Sequence, residues 1–231
     1  MRAFRGLTFC MALAALTSAS LAARAQGRAP TSAPEAAHAA AADVKGDQVE
    51  AVDLAEFEHV DPKHLVSDVA LKRAITYFKK NKSTFGNQNY LAVVDFTLAS
   101  NVPRLFIVNL KTGVVNAHLT SHGKGSDPEN TGRVQEFSNE IDSDESSYGF
   151  YRTAEIYSGK HLRSMRLDGL STSNSNARVR DIVIHAAWYV TEAGHHAGRS
   201  DGCFAVDPKK RDGILAKLEG GALLYGWSGK N

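Results

Sequence analysis

Asp181-Ile182-Val183-Ile184-His185, followed after a gap by Gly198-Arg199-Ser200-Asp201-Gly202-Cys203-Phe204-Ala205-Val206, is the most informative part of the chain. Asp181 to His185 reads as a short apolar strand that ends on an imidazole. Ser200-Asp201-Gly202 reads as a turn, and Phe204-Ala205-Val206 as a return to the interior. A thiol at such a junction is held on one side and open on the other. Gly202 permits an unusual backbone angle and a close substrate approach. With Ser200 and Asp201 supporting the turn, the amides around Gly202 and Cys203 are candidates to face a developing oxyanion.

A thiol needs help to act as a nucleophile at neutral pH. Free Cys titrates near ~8.5 and His near ~6.5, so an adjacent imidazole can take the proton and leave a thiolate–imidazolium pair. His185 is the natural partner if the strand and the turn meet. Each residue also has a plainer reading: a lone Cys as a small buried hydrophobe, a strand-end His as a structural hydrogen-bonder.

The N-terminus bears on the thiol. Met1-Arg2-Ala3-Phe4-Arg5 is a short positive segment, Leu7 to Ala22 is uncharged, and Ala23-Arg24-Ala25 fits a small-x-small cleavage site. Residues 1–25 are therefore expected to be a secretory signal peptide. Its removal takes away Arg2, Arg5 and Arg24 and no acid, so the formal charge falls from +2 to −1. A near-neutral mature chain gives no electrostatic reason to expect nucleic acid or an acidic membrane as partner. Cys10 leaves with the same segment, so Cys203 is the mature chain's single thiol. A lone thiol in an exported protein either pairs with another molecule or is reactive. No later stretch is long and apolar enough for stable membrane insertion.

Residues 26–52 are rich in Ala, Pro and Ser and read as a flexible tether. One domain follows, over 53–231. Asp61-Pro62 is a helix-start signal, and Leu71, Ala74, Ile75 and Phe78 follow at helical spacing. Strand-like runs come next: Tyr90 to Phe96, Arg104 to Leu110, and Val114 to Leu119 after a Lys111-Thr112-Gly113 turn. Ser121 to Ser147 is polar and long, as functional loops often are. Further strands are expected at Tyr148–Thr153, Arg163–Leu167, Asp181–His185 and Ala222–Trp227. Asp207-Pro208 opens a second helix, through Leu218. The fold class is mainly β, with an N-terminal and a C-terminal helix.

The spacing of His185 to Ser200-Asp201-Gly202-Cys203 is similar to the motif of the L,D-transpeptidases (YkuD-type). The wider sequence resembles the divergent branch called murein L,D-transpeptidase catalytic domain proteins. The segments that fit are Leu105 to Gly113, Ser121-His122-Gly123-Lys124-Gly125, Ser147 to Tyr151, Tyr157-Ser158-Gly159-Lys160-His161 and Arg166 to Leu170. Together the resemblance spans roughly residues 65–228. It implies an L,D-transpeptidase-like β-sandwich catalytic domain with Cys203 as acylated nucleophile and His185 as general base. A backbone carbonyl near Ala186 would orient the imidazole. The substrate would be a peptidoglycan stem peptide, the compartment the periplasm, and no cofactor would be needed.

Two positions depart from the family pattern. Asp201 stands where a second His usually precedes Gly-Cys, and Ala205 stands where an Arg or Asn is usual. Asp201 could stabilise an imidazolium but would also raise the thiol pKa. Arg199 and His122 are candidates for binding a stem-peptide carboxylate, with a loop contact as the plainer reading of each. His161, His195 and His196 could line the cleft. There is no HExxH, no CxxC and no acidic cluster with ligand spacing, so no metal is expected. Three functions stay open: a transpeptidase, an L,D-carboxypeptidase or other peptidoglycan hydrolase using the same dyad, and an inactive peptidoglycan-binding module.

Overall fold

The computed structural model describes residues 53–191 and 196–230. The expected signal peptide, the tether and His195 lie outside the described residues. Among those described are ten β-strands and two α-helices, so the domain is mainly β as expected.

Helix α1 (Asp68–Lys80) buries Ala70, Leu71, Ala74, Ile75 and Phe78 along one stripe. Its start differs from the expected one. Asp61 sits at φ 55°, and its carboxylate accepts the amides of Leu65 and Val66 at 3.0 and 2.8 Å. The Asp-Pro signal thus closes a tight turn, and the helix begins later, after Ser67.

Eight strands form one sheet in the order β3-β2-β1-β10-β5-β6-β7-β9. They are β1 (Tyr90–Asp95), β2 (Leu105–Asn109), β3 (Val115–His118), β5 (Gly149–Gly159), β6 (Leu162–Gly169), β7 (Val183–Ala186), β9 (Phe204–Val206) and β10 (Leu223–Trp227). A small parallel pair, β4 (His122–Gly123) and β8 (Arg199–Ser200), lies apart. Strands β1, β2 and β10 read as continuous apolar runs because both of their faces are covered. Leu91, Val93, Phe106, Val108, Leu223 and Tyr225 pack on the α1 side. Ala92, Val94, Leu105, Ile107 and Leu224 face the second core. That core also holds Ile214, Leu215 and Leu218 of helix α2 (Arg211–Leu218). Each large apolar side chain buried in this way contributes roughly 1.5–3 kcal/mol.

The sandwich-like layering comes from one sheet coiled back on itself. Phe96, just after β1, packs on Phe204 of the distant β9 with ring centroids 5.9 Å apart. The segment after β3 reaches the β9 edge, where the Ser121 amide donates to the Ala205 carbonyl at 3.0 Å. This near-closure brings the 121–147 loop onto the Cys203 turn.

Strand β5 is longer than the sequence suggests. Its register with β6 shifts between Thr153 and Ile156. Beyond the Ile156–Met165 pair the hairpin leaves the core, so its alternating apolar pattern fades. Ion pairs tie it down instead, with Arg163 to Asp212 at 3.2 Å, and at its base Arg178 bridges Glu155 at 2.9 Å and Asp168 at 2.6 Å.

Candidate active site

Strands β7 and β9 run parallel, with Ile184 opposite Phe204 and His185 opposite Ala205. Cys203 immediately precedes β9, level with Val183 at the start of β7, and His185 lies two positions further along that neighbouring strand. His185 is 3% exposed. Its Nδ1–H donates to the Ala186 carbonyl at 3.0 Å. A carbonyl only accepts, so this bond fixes the proton on Nδ1 and leaves the Nε2 lone pair as the basic position of the neutral ring. The ring packs on His161 with centroids 4.2 Å apart and planes at 31°.

Cys203 is half-buried and free of any disulfide. Its thiol donates to the Asp181 carbonyl at 3.4 Å, not to the imidazole. Burial pushes the thiol up to about 11. The Asp201 and Asp181 carboxylates add to that rise, and the Val183 amide and Arg180 oppose it. Burial also lowers the His185 imidazole, with His161 adding and the Ala186 carbonyl and Asp201 opposing. Both shifts favour the uncharged pair. A neutral thiol and a neutral imidazole are thus favoured over a thiolate–imidazolium pair, because burial of a charge outweighs its neighbours here.

Ser200 and Gly202 shape the turn. Ser200 Oγ donates to the Cys203 carbonyl at 2.7 Å and accepts the Gly202 amide at 3.2 Å. The Gly202 amide is thus already engaged, which leaves the Cys203 amide as the turn's candidate oxyanion donor. Gly202 has φ +114°, and a Cβ there would meet the Glu145 carbonyl oxygen at 2.6 Å. Only glycine fits both demands. Ser146 Oγ donates to the Gly202 carbonyl at 3.2 Å, which pins the turn to the polar loop. Asp201 points outward and pairs with Lys124 at 2.9 Å.

Arg199 and His122 sit differently from the expectation. Arg199 is half-buried, and its Nη1 donates to the Asp127 carbonyl. His122 is fully buried beneath the loop. Its Nδ1 accepts from Arg104 Nη2 at 2.7 Å and its Nε2 donates to Asp127 at 3.2 Å. Burial, then the adjacent Arg104, push its pKa down to about 4, so the ring is neutral. With both nitrogens committed and no exposed surface, His122 holds the loop and does not meet a substrate carboxylate.

Several contributors had no clear signal in the sequence. Arg104 reads only as the start of an apolar run, yet it is fully buried and donates to Thr120 and Leu98 carbonyls as well as to His122. Asp127 is one acid among several in the polar loop. Arg180 organises that loop with donations to Ser138 O, Ser147 Oγ and Ser143 Oγ at 2.7, 2.7 and 3.0 Å. Tyr189 has its phenol pushed up to about 12 by burial first, with the neighbouring Cys203 adding.

Fold and site define a β-rich domain that carries one thiol and one imidazole on two neighbouring parallel strands. The chain belongs to the L,D-transpeptidase catalytic domain family, whose model matches residues 62–227. Among solved structures it is similar to an L,D-transpeptidase from Mycobacterium smegmatis, at 12% identity and a TM-score of 0.38, covering 61% of this chain and 59% of that one. An L,D-transpeptidase from Xylanimonas cellulosilytica gives 13% identity and a TM-score of 0.38, with 60% of each chain covered. The helical cell shape determining protein of Campylobacter jejuni gives 11% and 0.38, with 62% of this chain and 48% of that one. The chain thus spans less than two thirds of each of these three structures. No curated protein sequence matches it. No described helix is long and apolar enough to cross a membrane.

Proposed function

We propose that this protein is an exported peptidoglycan L,D-transpeptidase that forms a thioester on Cys203 with His185 as its base. The observation that carries the reading is the β7–β9 pairing. It supports a thiol and a buried imidazole on neighbouring strands, two positions apart in register, with the ring's tautomer set by Ala186 and Nε2 left basic. The family match supports a stem peptide of the cell wall as the substrate, and the N-terminal segment supports a periplasmic location.

In the first half-reaction the thiol leaves the Asp181 carbonyl and gives its proton to His185 Nε2. The sulfur attacks the carbonyl of the third stem residue, and the Cys203 amide faces the oxyanion. The C–N bond to the terminal D-alanine breaks, and the imidazolium returns its proton to the departing amine. A thioester remains. An amine on a neighbouring stem then attacks it, His185 takes the amine's proton, and Cys203 leaves as the thiol once protonated. Since the resting pair is neutral, proton transfer accompanies attack rather than preceding it.

An L,D-carboxypeptidase shares the first half-reaction and resolves the thioester with water. A digest of purified muropeptides incubated with the protein separates the two. Cross-linked dimers support transfer to an amine. Tripeptides without dimers support hydrolysis. Unchanged tetrapeptides, with the protein folded, support a binding module instead.

A further inference from the structure

The β5–β6 hairpin reaches the site from outside the His–Cys motif. Its tight turn, Lys160-His161, lies between the paired residues Gly159 and Leu162. The hairpin runs on past its pairing with β7, which is confined to Met165–Ile184 and Arg166–Val183. That overhang brings the exposed His161 ring against the buried His185 ring, with centroids 4.2 Å apart. The same hairpin also grips the thiol's acceptor. Arg166 lies over the Tyr157 ring at 4.5 Å and pairs with Asp181, a residue at φ 51° whose carbonyl holds the Cys203 thiol. Both halves of the dyad are therefore braced by one element.

We propose that His161 is a positioning residue for acyl transfer, a second imidazole that packs on His185 and whose own charge governs how readily His185 accepts a proton. This rests on the function proposed above for Cys203 and His185.

The physical argument is short. Imidazoles change charge between about pH 5 and 8. A charge on the exposed ring of a stacked pair opposes a proton on the buried one, and the His161 contact does lower the His185 imidazole. The other groups that face this pair are the Asp201 carboxylate from the β8–β9 turn, which favours a charged His185, and the thiol itself. Tyr189, from the loop after β7, also senses Cys203 and Asp201. At the His185 ring the His161 contact and the Asp201 carboxylate act in opposite directions.

The test compares wild type with His161→Phe, which keeps a flat ring and removes the charge, and His161→Arg, which keeps a flat cation. Position 161 is exposed, so all three are expected to fold. Two readouts are taken from pH 5 to 8: the rate at which a carbapenem acylates Cys203, and the NMR titration midpoint of the His185 ring. In His161→Phe the His185 midpoint and the acid limb of the rate both move up by about half to one pH unit. In His161→Arg both stay at or below the wild-type position. An unchanged midpoint and an unchanged limb in an active His161→Phe protein overturn the role of His161 and leave the proposed function standing. No acylation of folded wild type at any pH overturns the proposed function, and the role of His161 in acyl transfer with it.

Discussion

Among the described residues two histidines are buried, and they do opposite things. His122 has both nitrogens bound, one to Arg104 and one to Asp127, within a closed network under the polar loop. His185 has one nitrogen bound to its neighbour's carbonyl, and no hydrogen bond is made by the other among the described residues. Burial lowers the basicity of both rings. The difference lies in what is left over. A buried polar group with every partner in place stabilises a loop, while one held with a free lone pair can do chemistry.

The strongest way to break this comparison is substitution of each imidazole. His185→Gln is expected to slow acylation of Cys203 by roughly 10²–10⁴-fold, the usual worth of a general base, with little change in melting temperature. His122→Gln is expected to do the reverse. It lowers the melting temperature by opening the Arg104–Asp127 network and leaves the rate per folded molecule within a few-fold. Paired acylation rates and thermal melts read both. If His122→Gln removes activity as deeply as His185→Gln at unchanged stability, the division of roles is wrong.

The neutral resting pair makes a second prediction. With the thiol pushed up to about 11, iodoacetamide should alkylate Cys203 at pH 7 roughly two orders of magnitude more slowly than a free cysteine. The rate should keep climbing above pH 9. Fast alkylation with a plateau below neutrality would show a preformed ion pair.

Stability against pH tests His122, with the His185 ring, lowered in the same direction, adding to the slope. The folded pKa of His122, about 4, lies below the ordinary value of 6.5. As pH falls, the unfolded chain takes the proton first, so stability is lost between about pH 6.5 and 4 and levels off below. The loss is on the order of 3 kcal/mol. Denaturant melts across this window check it, and His122→Gln should flatten the slope. The smallest effect is expected at Asp201. Its partner Lys124 is exposed, so Asp201→Asn should move stability by less than about 0.5 kcal/mol and the acylation rate only a few-fold.

Much of the architecture could be read from the sequence because burial writes itself into the residue pattern. The apolar runs of β1, β2 and β10 and the Leu71-Ala74-Ile75-Phe78 stripe appear where expected. The Asp61-Pro62 helix start did not hold, since an Asp can cap a turn as well as a helix. The outer half of the hairpin was missed because ion pairs, not apolar alternation, hold it. Within the site, spacing alone did not say that the strand carrying His185 pairs with the one after Cys203, and the family resemblance was needed to suggest it. The contacts of Arg104, Asp127 and His161 were not legible either, because each depends on a partner distant in the chain that only the coiled sheet brings near.

The central claim is that Cys203 is acylated with His185 as its base. Intact-mass analysis after exposure to a carbapenem tests it most directly. The account predicts a single adduct on the wild-type protein that maps to Cys203, vanishes in Cys203→Ala and forms far more slowly in His185→Gln. An adduct that persists in Cys203→Ala, or no adduct on the folded wild-type protein, would contradict it.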